Sequence, residues 1–152
     1  MTDEKSEFRG TCYCGAVEVT VQGPPAASAF CHCTSCRKWH AAPVNAWSIW
    51  PADMVTITGD VVTAEEHDAS RRVACARCGG AVANRKPLID MVVVYAMTLA
   101  GSGLPFKPAS HIFYAERVMD FADGLPKYAD TPEAFGGSGN RIEEPKRTRW
   151  RG

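Results

Sequence analysis

The chain has 152 residues, 45% of them apolar, with 17 basic residues against 17 acidic ones and a formal net charge of zero. That length suits one domain able to bury a core without a metal to compact it, and the charge balance excludes a global pull toward nucleic acid or an anionic membrane. No apolar run approaches the ~20 residues that cross a bilayer, so no membrane partner is expected and nucleic acid is not the expected one.

In chain order, residues 1 to 9 read as a polar lead. The start, Met1-Thr2-Asp3-Glu4-Lys5-Ser6-Glu7, lacks the apolar stretch of a secretory leader, and a cytoplasmic location is expected. Residues 16 to 21 alternate with period two, which places Val17, Val19 and Val21 on one face of a half-buried strand and Glu18 and Thr20 on the other. Gly23-Pro24-Pro25 ends it. Ala29 to Cys31 reads as a short strand, Thr34 to His40 as a turn or a single helical turn, and Asn45 to Trp50 as a strand stopped by Pro51. Met54 to Thr58 and Val61 to Glu66 are strands around a Gly59-Asp60 turn.

Ser70 to Ala74 and Ala81 to Asn84 flank a tight turn at Gly79-Gly80. Leu88 to Thr98 is the strongest strand, apolar enough for burial on both faces. A loop follows through Gly101-Ser102-Gly103, Pro105 and Pro108, and His111 to Tyr114 is a last short strand. Many short strands with turn residues between them predict a mainly β fold of folded sheets or a sandwich. Residues 1–126 are expected to form one domain, and 127–152 an irregular or partly disordered tail.

Seven cysteines are an odd count, and the cytosol keeps thiols reduced, so metal ligation or catalysis is expected rather than a disulfide framework. They fall into three groups: Cys12-x-Cys14, Cys31-x-Cys33-x-x-Cys36 and Cys75-x-x-Cys78. Close spacing lets one turn present two thiolates to one ion, and zinc takes four ligands in a tetrahedron. The two pairs, Cys12 with Cys14 and Cys75 with Cys78, make a closed four-thiolate site. Cys31, Cys33 and Cys36 supply three thiolates and leave a position open, the arrangement zinc uses for chemistry. His32 or His40 would close that site and make it structural; the same cysteines without metal would be redox-active thiols.

At these residues the sequence resembles the glutathione-dependent formaldehyde-activating enzyme family, whose members share a fold with a zinc-containing chaperone of Rab GTPases. The matching elements are Gly10-x-Cys12-x-Cys14-Gly15-Ala16-Val17, Val21-x-Gly23-Pro24-Pro25, Cys31-His32-Cys33-x-x-Cys36-Arg37-Lys38, Cys75-x-x-Cys78-Gly79 and His111-Ile112-Phe113. The resemblance implies a β-rich fold of two sheets, a structural zinc at Cys12, Cys14, Cys75 and Cys78, and a catalytic zinc at Cys31, Cys33 and Cys36. It also implies carbon–sulfur lyase chemistry, joining formaldehyde to glutathione as S-hydroxymethylglutathione and the reverse. The chain departs from the family pattern around Asp90 and after Phe113, positions that bear on substrate identity.

The expected partners are therefore a small thiol such as glutathione and an aldehyde. Arg37 and Lys38 are candidates to hold a substrate carboxylate, Trp39, Trp47 and Trp50 to wall a pocket, and His32 to shuttle a proton. The alternative is a non-enzymatic two-zinc binding module for a protein or nucleic-acid partner, with Lys146 to Arg151 as its basic contact.

Overall fold

The computed structural model describes residues 6–67 and 69–152. Residues 1–5 of the expected polar lead lie outside the described residues. The chain is mainly β, as the strand spacing predicts, with one α-helix among the described residues. It divides into two compact units: residues 1–27 with 47–106, and residues 28–46 with 107–152.

The first unit holds two antiparallel sheets around one apolar core. In the smaller sheet, β2 (Glu18–Gln22) lies between β1 (Glu7–Thr11) and β5 (Val55–Thr58). The larger runs from β4 (Asn45–Pro51) through β9 (Met91–Tyr95), β8 (Ala81–Lys86) and β7 (Ser70–Cys75) to β6 (Val61–His67). Val17, Val19 and Val21 are fully buried, as their alternation requires, and meet Trp50, Val73, Val82, Val92 and Val94 in the core. Trp50 is completely enclosed and satisfies its indole by donating to the Gly23 carbonyl at 3.1 Å. It is a core residue and does not wall a pocket.

The second unit contains β3 (Ala27–Cys31), α1 (Thr34–His40), β10 (His111–Ile112), β11 (Met119–Asp120) and β12 (Arg149–Trp150). Strand β10 runs parallel to β3, with His111 opposite Phe30 and Ile112 opposite Cys31, and β11 pairs with β12. Its interior is aromatic and polar: His32, His111, Tyr114 and Lys127 are all enclosed. The chain from residue 127 onward is mostly irregular, but its backbone is tied to this unit, with Tyr114 N donating to Tyr128 O and Tyr128 N to His111 O, both at 2.9 Å.

Three elements differ from the sequence reading. Residues 7–9 belong to β1, whose side chains Glu7 and Arg9 pair with each other at 2.7 Å on the surface. An edge strand held by its backbone ladder needs few apolar residues and tolerates charge. The apolar run from Leu88 to Thr98 is a strand only over Met91–Tyr95. It is flanked by 3-10 turns at Pro87–Ile89 and Ala96–Leu99, with Asp90 in the left-handed region. The strand expected over His111–Tyr114 ends at Ile112, because Phe113 turns left-handed and Tyr114 opens another 3-10 turn.

Gly10 sits where β1 passes the turn after β9. A Cβ there would fall 1.8 Å from the Thr98 carbonyl oxygen, a contact only backbone movement relieves. Gly10→Ala is expected to destabilise the protein by about 1–3 kcal/mol or more, read as a lowered urea midpoint at constant slope. An unchanged midpoint would show that β1 does not depend on this close approach.

Candidate metal centres

The first cluster is built by two turns. Cys12 follows β1, and its turn closes with Cys12 N donating to Val17 O at 3.0 Å and Gly15 N to Cys12 O at 3.2 Å. Cys75 ends β7, and Gly79 N donates to Cys75 O at 2.9 Å before β8 begins. Gly15 (φ 84°) and Gly79 (φ 74°) supply the left-handed residue each turn requires. Backbone N–H groups then point at sulfur: Val17 at Cys12 Sγ (3.3 Å), Arg77 and Cys78 at Cys75 Sγ (3.3 and 3.4 Å), and Gly80 at Cys78 Sγ (3.3 Å).

The sulfurs of Cys12, Cys14, Cys75 and Cys78 all lie within 4.8 Å of one another. Cys12 and Cys14 are 3.7 Å apart, Cys14 and Cys75 3.8 Å. A tetrahedron with metal–sulfur bonds of about 2.3 Å has edges of about 3.8 Å, so this donor set fits a tetrahedral ion. Charge is shared unequally among the bare thiols. Burial works against the Cys12 thiolate, but the Val17 N–H and neighbouring thiols bring Cys12 down to about 6. The Ala16 N–H favours the Cys14 thiolate, yet desolvation and neighbouring sulfurs raise Cys14 to about 11.

The second cluster comprises Cys31, Cys33 and Cys36, also within 4.8 Å of one another. Cys31 ends β3. Cys33 is the N-cap of α1, its sulfur accepting from Cys36 N at 3.3 Å, so the first helical turn itself brings those two sulfurs together. Glu116 Oε1 accepts from both the N–H and the hydroxyl of Thr34, at 3.1 and 3.0 Å. Arg37 donates to the His32 carbonyl at 3.0 Å and to Thr34 Oγ1 at 3.1 Å. These two bonds brace the loop and use two of the five guanidinium N–H donors. The thiols of Cys33 and Cys36, and then burial, push the Cys31 thiol above its ordinary value, because three adjacent thiolates need a cation to coexist. No ring nitrogen of His32 or His40 joins this group, so its donors are three sulfurs.

His32 lies between two of these cysteines and faces the other way. Its Nε2 is 2.8 Å from His111 Nδ1, and His111 Nε2 is 2.7 Å from Asp123 Oδ2. Lys127 Nζ donates to Asp123 Oδ1 at 2.9 Å, to Glu144 Oε2 at 2.6 Å and to Leu125 O at 2.8 Å. Burial, with His111 close by, pushes the His32 imidazole down to about 3, and burial also lowers His111 despite Asp123. Of these residues the sequence reading singled out His32 for a role and quoted His111 within a motif. Asp123, Lys127, Glu144 and Glu116 carry no spacing signal that would have found them.

Burial alone would raise Asp123, but hydrogen bonds from Lys127 and His111 bring it down to about 2 from 3.8. A carboxylate depressed by folding contributes stability that is present above its unfolded value and lost as pH falls through its folded one. Asp123→Asn is therefore expected to cost roughly 1–2 kcal/mol at neutral pH, discounted for partial exposure. It should also flatten the loss of stability between about pH 4 and pH 2, measured by denaturant midpoints across that range. An acid limb as steep as the parent's would place the titration elsewhere.

Three comparisons bear on this arrangement. The model of the glutathione-dependent formaldehyde-activating enzyme family matches residues 7–116. An uncharacterized lyase of Schizosaccharomyces pombe is 27% identical over 73 residues, which are 48% of this chain and 53% of that protein; the chain thus spans about half the length of this relative. The crystal structure of a Rhodobacter sphaeroides protein is similar at a TM-score of 0.48 and 21% identity, over 62% of this chain and 89% of that one. The family match takes in all seven cysteines of both clusters and well over half of the sequence, and the chain belongs to the glutathione-dependent formaldehyde-activating enzyme family.

Proposed function

We propose that this protein is a zinc-dependent carbon–sulfur lyase acting on thiol–aldehyde adducts of the S-hydroxymethylglutathione kind, in a reducing, cytosolic setting. In this reading Cys12, Cys14, Cys75 and Cys78 hold a structural zinc ion, and Cys31, Cys33 and Cys36 hold the catalytic one. The observation that carries it is the contrast between the clusters. One offers four sulfurs at tetrahedral spacing; the other offers three, and among the described residues no histidine completes it. Three protein ligands leave a four-coordinate ion one position short, the mark of a site that takes substrate.

A zinc ion bound at that second centre supplies Lewis acidity toward a substrate sulfur or oxygen. The chain's own residues do the rest. Cys31, Cys33 and Cys36 fix where substrate sulfur and carbonyl carbon meet, which is most of what a facile addition requires. In the reaction the thiol sulfur bonds to the carbonyl carbon and the thiol proton ends on the carbonyl oxygen. The reverse breaks the same bond, and no electrons leave the pair. Lys38, exposed on α1 two residues after Cys36, and the remaining donors of Arg37 are the candidates for a substrate carboxylate.

The competing reading, a two-zinc binding module, draws on Lys146, Arg147 and Arg149, which with Asp120 and Pro145 line a surface pocket, and on the exposed Trp150 beside them. Affinity for DNA that falls steeply with salt would favour it.

The test is zinc content and turnover together. Wild-type protein is expected to carry one ion at each centre and to accelerate formation of the hemithioacetal from glutathione and formaldehyde, followed by NMR. Cys36→Ser is expected to lose one ion, keep the other, and fall to near the uncatalysed rate. Undiminished turnover after that loss would overturn the mechanism.

A further inference from the structure

The interior of the second unit holds a run of titratable side chains that the proposed chemistry leaves unused, and its hydrogen bonds have a direction. Asp123 sets it. A carboxylate only accepts, and Asp123 is kept ionised by Lys127, itself almost wholly enclosed. The oxygen facing His111 Nε2 at 2.7 Å therefore receives a hydrogen from it. His111 is fully buried, and a neutral imidazole with its hydrogen on Nε2 presents Nδ1 as a bare acceptor. That acceptor lies 2.8 Å from His32 Nε2, so the hydrogen of this bond belongs to His32. Both rings are thus in the Nε2–H form, and the lone pair left over sits on His32 Nδ1, which is enclosed and has no hydrogen-bond partner among the described residues.

The same residue is held at its backbone. His32 N donates to Ile112 O at 3.0 Å, and its carbonyl accepts from Arg37 at 3.0 Å. Tyr114 and Phe121 meet the imidazole edge-on, with centroids 5.0 and 5.4 Å away. A core that needed only filling is served as well by apolar residues, since buried ionic groups add little net stability. A run of imidazoles ending on an anchored carboxylate instead fixes orientation, as outer-shell carboxylates do at metal sites.

We propose that His111 and Asp123 are positioning residues for the three-sulfur centre: through this one-directional chain they hold the His32 ring, and with it the turn that carries Cys31 and Cys33, in the orientation at which the three sulfurs converge on an ion. Lys127 and Glu144 hold the far end. The proposal rests on the metal-binding part of the reading above and is independent of which adduct is turned over.

Two measurements on zinc-loaded, full-length protein test it. Long-range proton–nitrogen NMR of the imidazoles is expected to find His32 and His111 both in the Nε2–H form at neutral pH. A Nδ1–H tautomer or an imidazolium at His32 overturns the direction of the chain, and this reading needs no variant. Zinc release to a chromophoric chelator is then compared between wild type and Asp123→Asn. One ion is expected to leave about tenfold faster or more, while the ion at Cys12, Cys14, Cys75 and Cys78 keeps its wild-type rate. Equal acceleration at both centres, or at neither, overturns the proposal. Wild-type protein that binds a single ion defeats the metal reading and the proposal with it. Wild type with two ions and no lyase activity defeats only the assigned reaction.

Discussion

Seven thiols gathered into two clusters set a charge problem that the rest of each unit is arranged around. Sulfurs within 4.8 Å of one another cannot all ionise unless something positive lies among them. The strain is visible in the bare thiols, with Cys12 drawn down to about 6 while Cys14 is driven up to about 11. A soft divalent cation turns this repulsion into ligation, and the N–H groups of Val17, Arg77, Cys78 and Gly80 already point at sulfur, which favours the thiolate form.

The two units meet this constraint by different means. In the first, the four sulfurs hang from turns at the ends of strands whose other faces build a valine-rich core around Trp50. Apolar burial fixes the strands, and the strands fix the turns. In the second, the three sulfurs sit on a short strand, a cap and one helical turn, beside an aromatic and polar interior. Directional bonds take over: Glu116 on Thr34, Arg37 on the His32 carbonyl, and the run from His32 through His111 to Asp123 and Lys127. A hydrogen-bonded interior specifies geometry more sharply than an apolar one but tolerates a missing member poorly.

That difference suits the roles proposed for the two centres. A four-sulfur site on an apolar frame has nothing left to bind and serves to hold distant segments together. A three-sulfur site must keep its shape while one coordination position exchanges ligands, and support from outside its ligand set is what such a site needs. Reactions that make or break a carbon–sulfur bond without redox change ask for placement above all.

Much of this was legible in the residues. The cysteines of each close-spaced group fall in one cluster, because the approach of near neighbours is a local property of a turn; the meeting of Cys14 with Cys75, 61 residues on, is a tertiary contact that zinc's need for four ligands predicts. The period-two run at Val17, Val19 and Val21 predicts its buried face for the same local reason. Other features were hidden. Strand β1 is held by backbone pairing and carries charge, so its composition resembles a loop. The run from Leu88 to Thr98 is apolar throughout, yet Pro87 and the left-handed Asp90 confine the strand to five residues. The bonding of His32 to His111 and on to Asp123 left no trace, although both histidines stood in quoted motifs, since its first bond joins residues 79 apart and such a contact has neither period nor spacing. Which cysteines share a turn was thus written into the sequence by itself, through short-range covalent geometry. Which residues brace those cysteines was decided only by the tertiary structure, because buried hydrogen bonds between distant positions exist nowhere until the chain has closed around them.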